Sequence, residues 1–170
     1  MLSVSSRRRS SLAAAATLGL VLVASGAAVA SDPADSTLVG PKKSGTVTTT
    51  FTSAIQGTGR LDPTIPCSAF MCDTHTLTIN VPASYWKKHT GSLAIQVAWT
   101  GPENDFDLAV YDAAGTEVAT SGEALTEAEA VTIDAPAPGA YTIEITSYLA
   151  TPGTEVTGTA TLTATATKKK

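Results

Sequence analysis

Apolar residues occupy every second position through most of this chain, with threonine filling many of the positions between. Val47, Phe51 and Ile55 share one parity, opposite Thr46, Thr48, Thr50 and Thr52. Leu77, Ile79 and Val81 alternate with Thr76, Thr78 and Asn80, and Leu93, Ile95, Val97 and Trp99 with Ala94, Gln96 and Ala98. Phe106, Leu108 and Val110 then alternate with Asp107, Ala109 and Tyr111. Shorter runs follow at Glu117–Thr120, at Val131 and Ile133, at Tyr141, Ile143 and Ile145, and at Ala160, Leu162 and Ala164. A period of two places one set of side chains on each face of a strand, so these runs predict half-buried strands. Turn chemistry at Gly57–Gly59, Gly101-Pro102, Asp112–Gly115, Ala135–Gly139 and Thr151–Gly153 separates them. No apolar stripe at helical spacing persists for three turns. The expected fold is all-β, an antiparallel, jelly-roll-like β-sandwich of about eight strands.

The flanks read differently. Arg7, Arg8 and Arg9 precede an apolar run over Leu12–Val29, and Ala28-Val29-Ala30 supplies a small-x-small cleavage pattern. Residues 1–30 are therefore expected to be a cleaved signal peptide, in preference to a membrane span, with Ser31 the first mature residue. Arg8-Arg9-Ser10-Ser11-Leu12 faintly resembles a twin-arginine signal and leaves the export route open. The product is expected to be secreted without a membrane anchor, and monomeric. Residues 31–44 lack periodicity and are expected to form a flexible leader. Residues 45–166 form the sandwich domain, and 167–170 a basic disordered tail. Loss of the three arginines leaves 8 Lys+Arg against 15 Asp+Glu, a net charge of −7. So acidic a body argues against nucleic acid or anionic lipid as the main partner.

Cys67 and Cys72 are the only cysteines. In an oxidising compartment they are expected to close a short disulfide loop, worth about 2 kcal/mol on the chain-entropy estimate. Adding His75 gives three zinc-type ligands, but the spacing fits no common finger and no fourth ligand is near in sequence. His75 also shares parity with Leu77 and Ile79, which directs it inward.

Two clusters carry chemistry. Glu103, Asn104, Asp105 and Asp107 are hard oxygen donors at one turn and strand start, a set that suits calcium. The competing reading, that Asn104 and Asp105 cap a turn while Asp107 faces solvent, is the more economical. Tyr85, Trp86, Lys87 and Lys88 put two rings and two cations in one loop of an acidic chain, a candidate ligand-contact surface. There too a structural reading competes, in which the rings plug the end of the sandwich. No Gly-x-Ser-x-Gly elbow, His-Glu-x-x-His pair or phosphate-cradling glycine loop occurs, so no enzyme activity is expected.

Asp105-Phe106-Asp107-Leu108, the strand to Tyr111, the turn Asp112–Gly115 and the return through Ser121 resemble the bacterial pre-peptidase C-terminal domain. Pro138-Gly139-Ala140-Tyr141-Thr142-Ile143-Glu144-Ile145 is similar to that family's Gly-Tyr strand. The likeness extends from about Gly45 to Ala166. It implies a jelly-roll-like module of the kind appended to secreted peptidases and other exported enzymes, some relatives of which bind calcium or extracellular polymers. The expected function is that of a secreted, non-catalytic module binding an extracellular protein or polysaccharide, with calcium the one cofactor in question. The alternative is an accessory protein acting in trans on a secreted peptidase or other exported enzyme.

Overall fold

The computed structural model describes residues 31–57, 59 and 70–168. The proposed signal peptide and Cys67 lie outside the described residues. Nine strands follow in order: β1 (Asp35–Val39), β2 (Gly45–Ile55), β3 (Cys72–Asn80), β4 (His89–Ala98), β5 (Asp105–Tyr111), β6 (Glu117–Ser121), β7 (Ala128–Asp134), β8 (Gly139–Leu149) and β9 (Thr154–Ala166). One 3-10 turn, Tyr85–Lys87, precedes β4.

Two sheets form a sandwich, ordered β1-β3-β8-β5-β6 and β2-β9-β4-β7. The last eight strands are the eight predicted by alternation. Without β1 they make two four-stranded sheets in jelly-roll order, the first of the eight beside the last. The core is what the alternation selects. Leu77, Ile79, Phe106, Leu108, Val110, Ile143 and Ile145 from one sheet meet Phe51, Leu93, Ile95, Val97, Val156 and Leu162 from the other, all fully buried. The threonines between them stay on the outer faces. There Thr46 with Thr163, and Thr48 with Thr161, form cross-strand hydroxyl pairs at 3.2 and 3.1 Å.

The N-terminal segment departs from expectation. Instead of a flexible leader over 31–44, β1 runs parallel to β3 from Asp35↔Thr76 to Val39↔Asn80, while every other strand pair is antiparallel. Asp32 bridges to Thr52 on the opposite sheet, so this segment covers one side of the sandwich. Ser31 is buried, its hydroxyl donating to Asp73 Oδ2 at 2.7 Å, and Leu38 is buried in the core. Pro33 and Ser36 supply hydrogen bonds to the interior, and that function has no periodic signature.

β9 contains one glycine that the core requires. Gly158 lies directly opposite Phe51 in the β2–β9 ladder, and a Cβ there would overlap the Phe51 ring. The ring covers the glycine as aromatic residues do across antiparallel pairs. Phe51 in turn stacks on His75 with centroids 4.0 Å apart, so it has nowhere to retreat. Gly158→Ala is expected to lower stability by about 1–3 kcal/mol through overpacking. Urea unfolding would register this as a lower midpoint, and an unchanged midpoint would refute it.

Candidate functional site

β4 runs the length of the sandwich, about 30 Å at strand rise, and places the two sequence-predicted clusters at opposite ends. At its C-terminal end the chain turns through Thr100–Asn104. Gly101 has φ +92°, and any Cβ there would collide with the side chains of Glu103 and Asn104. The Gly101 N–H donates to Glu127 Oε1 at 2.9 Å. Asn104 is almost wholly buried: its Nδ2 donates to Thr100 O at 2.7 Å, and its Oδ1 accepts from Thr151 N at 2.8 Å. Trp99 Nε1 donates to Asn104 O at 3.1 Å. Asn104 thus ties two turns together, and its amide oxygen is already engaged. Glu103 is exposed beside an open cleft of about 580 Å³ lined also by Trp99, Thr151 and Glu155.

Asp105 and Asp107 share the outer parity of β5, with Phe106 and Leu108 turned inward. Among the described residues no three His, Cys, Asp or Glu side chains assemble as a metal-ion group. Of the four residues, Asn104 is a buried turn pin, Glu103 an exposed cleft residue, and Asp105 and Asp107 two carboxylates on one face of β5. Asp112, by contrast, organises the hairpin turn, its Oδ1 accepting from Ala114 N and Thr116 N at 2.9 Å each.

A residue that the sequence did not single out dominates this corner. Glu129 on β7 is buried, with its carboxylate accepting from Ser121 Oγ, from Glu123 N at 2.8 Å and from Thr126 Oγ1 at 3.1 Å. Its parity with Val131 was the available signal, masked by the alanines and acids around it. Asp107 lies across from it, against Gly122. Burial, then the charges of Asp105 and Glu129, push the Asp107 carboxyl above its ordinary range. An acid whose folded pKa is raised makes the native state bind the extra proton, so its contribution to stability falls as pH rises from about 3.9, the unfolded value. Asp107→Asn is therefore expected to raise Tm at neutral pH and to change it little near pH 3, read by thermal melts across pH. An equal effect at both ends of the range would contradict this origin.

At the other end, the 3-10 turn packs its aromatics inward. Tyr85 is buried, its hydroxyl donating to Pro41 O at 2.7 Å, and it stacks on His89 at 4.1 Å. Trp86 is half-buried against the core and donates from Nε1 to Pro136 O at 2.7 Å. Both rings plug the sandwich end, while Lys87 and Lys88 remain exposed. The loop therefore presents cations without presenting its aromatic faces. These lysines line a cleft of about 590 Å³ together with Lys42, His89 and Lys168.

His75 is enclosed, as its parity predicted. Its Nδ1 lies 2.9 Å from Pro33 O, which can only accept, so Nδ1 carries the hydrogen and Nε2 accepts from Ser36 Oγ at 2.8 Å. Burial holds its pKa below the ordinary histidine value, against opposing contributions from the Pro33 carbonyl, Asp35 and Asp73. Cys72, at the first position of β3, is buried and is not a free thiol.

Residues 73–147 match the family described as bacterial pre-peptidase C-terminal domain. No curated protein sequence matches the chain. Among solved structures, the pre-peptidase C-terminal domain of a collagenase from Bacillus anthracis is similar at 13% identity, covering 76% of this chain and 93% of that one, with a TM-score of 0.39. Aeromonas hydrophila PliG, a periplasmic lysozyme inhibitor of g-type lysozyme, is similar at 12% identity over 76% of this chain and 96% of that one, with a TM-score of 0.34. The family match begins at Asp73 in β3 and ends at Ser147 in β8, so it takes in the acidic hairpin, the buried Glu129 and the Gly-Tyr strand. The family to which this chain shows a sequence match, over residues 73–147, is the bacterial pre-peptidase C-terminal domain.

Proposed function

We propose that the protein is an exported, non-catalytic sandwich module that binds an extracellular protein or polysaccharide. The observation that carries this reading is the family match over β3 through β8, because domains of this kind accompany exported enzymes as accessory modules. The distribution of polar groups supports it. The histidine–serine pair that most resembles a nucleophile and base, His75 and Ser36, is tied into the wall of the core with Phe51 stacked on the imidazole. Among the described residues an open cleft lies at each end of β4. A Cys67–Cys72 disulfide belongs to the same reading, since it suits an oxidising compartment. Mass spectrometry of the exported protein without reduction should find the two cysteines in one linked peptide.

Retention on insoluble collagen, chitin, cellulose and cell wall, with and without millimolar calcium, tests the binding function. Retention on at least one is expected, and passage through all of them would overturn it. Calcium enters the proposal only through the outward carboxylates Asp105 and Asp107. A ligand bound to the native state alone raises Tm by mass action. A calcium-dependent rise lost in Asp105→Ala/Asp107→Ala would support that site, and no rise would remove calcium from it.

A further inference from the structure

We infer that the lysine-lined cleft beside the 3-10 turn is a binding site for a sulfate or phosphate group, and that this group belongs to an anionic extracellular polysaccharide. The inference deepens the proposed function by naming the ligand chemistry, and it rests on that reading.

The charge distribution is the first observation. The body is acidic, yet Lys42, Lys87, Lys88 and Lys168 line one cleft of about 590 Å³, and Lys43 adjoins it in sequence. A neighbouring cleft of about 400 Å³ shares Lys42, Lys88 and His89, and among the described residues no acidic side chain lines either one. Four like charges repel one another. Nothing in folding rewards bringing them together from the β1–β2 loop, the 3-10 turn and the end of β9, and a bound anion would offset that cost.

The second observation is independent of charge. His89 is buried at the wall of both clefts, and its Nε2 has no hydrogen-bond partner among the described residues. Its other nitrogen, Nδ1, lies 3.1 Å from Tyr85 O, and a carbonyl oxygen can only accept, so Nδ1 holds the hydrogen. Nε2 is thus an unpartnered acceptor at the cleft wall, which a hydroxyl of a sugar ring can satisfy. Buried polar atoms are rarely left unpaired without a reason. The Tyr85 ring, stacked on the imidazole and anchored through its hydroxyl to Pro41 O, fixes the orientation.

The residue types narrow the anion. A carboxylate is matched best by the planar fork of arginine, whereas lysine binds phosphate as a point charge. Several ammonium groups on flexible stems suit a tetrahedral, multiply acceptor-bearing group. Sulfate esters and phosphate esters share that chemistry, and separate arms of the test distinguish them.

The test uses the mature full-length protein. Calorimetric titration with dextran sulfate, a phosphorylated dextran, neutral dextran, inorganic phosphate and polyglutamate at low salt covers the choices. Binding to one of the charged dextrans, absent for neutral dextran and weakened steeply by salt, is expected. Lys87→Gln/Lys88→Gln should weaken it at least tenfold without moving Tm, because both side chains are exposed. His89→Phe preserves the ring stack and removes both nitrogens. It should weaken binding about threefold or more through loss of the Nε2 acceptor. Absence of binding to either charged dextran, or unchanged binding in the double lysine variant, overturns the inference. Preference for polyglutamate overturns the polysaccharide assignment in favour of an acidic protein. Binding of inorganic phosphate alone reduces the site to a free-ion site and equally overturns it. If the module is retained on a polymer in the earlier assay with the lysine variant unaffected, the proposed function stands and this inference fails.

Discussion

A protein lacking residues 31–39 is expected to lose about 5 kcal/mol of stability, enough to bring a domain of ordinary stability close to unfolding. The magnitude is built from particular contacts. Leu38 is a buried side chain, worth about 2 kcal/mol of transfer free energy. His75 keeps its enclosed imidazole satisfied only through Pro33 O and Ser36 Oγ, both in the deleted segment, and an orphaned buried polar group costs about 1–3 kcal/mol. Asp73, also buried, loses the Ser31 hydroxyl. The deletion also leaves β3, the inner neighbour of β1, as a bare edge. Urea unfolding of the truncated and full mature proteins measures the difference, with Ser36→Ala as a single-bond comparison costing about 1 kcal/mol. A truncated protein with an unchanged midpoint would restore the flexible leader that the sequence suggested.

Glu129→Ala is expected to cost about 3 kcal/mol, roughly 10 °C in Tm for a domain of this size. The carboxylate is fully enclosed and accepts hydrogen bonds from Ser121 at the end of β6 and from Glu123 and Thr126 on the segment joining β6 to β7. Removing it leaves those donors facing a void. Glu129→Gln should recover only part of the loss, since its amide turns an NH2 toward one of them. The contrast with Asp107 is instructive. Removing the charge of Asp107 relieves a carboxyl that burial and its neighbours disfavour, and so stabilises at neutral pH. Removing the charge of Glu129 orphans donors and so destabilises. Thermal melts of Glu129→Gln and Asp107→Asn at neutral pH should therefore move in opposite directions; movement in the same direction would mean that the donors do not decide the outcome.

Strands β2 to β9, the edge strand β6 apart, were legible because each buries one face on the core and exposes the other, which prints a period of two on the sequence. His75 was legible for the same reason, its parity matching Leu77. Strand β1 was not, because an edge strand contributes one core side chain, Leu38, and otherwise acts through hydroxyl and carbonyl groups that any loop also carries. Glu129 sits at an inward position of β7, yet a buried carboxylate looks like a solvated one until its three donors are placed around it. The acidic turn shows how neighbours in sequence part in the fold. Asn104 and Asp105 are adjacent in sequence, but the strand pleat and the turn send Asn104 inward to Thr151 and Asp105 to the outer face.

By itself the sequence determined the fold class, the number of alternating strands, the inward direction of most of their apolar side chains and the family resemblance, because all four follow from local pattern. The tertiary structure alone decided which distant groups meet. It brought Lys42, Lys87, Lys88 and Lys168 to one cleft beside His89, although they lie in three separate parts of the chain. It also inserted Ser31 beside Asp73 and stacked Phe51 on His75. Such meetings depend on sheet order and register, which are set by the packing of the whole sandwich and by no single stretch of it.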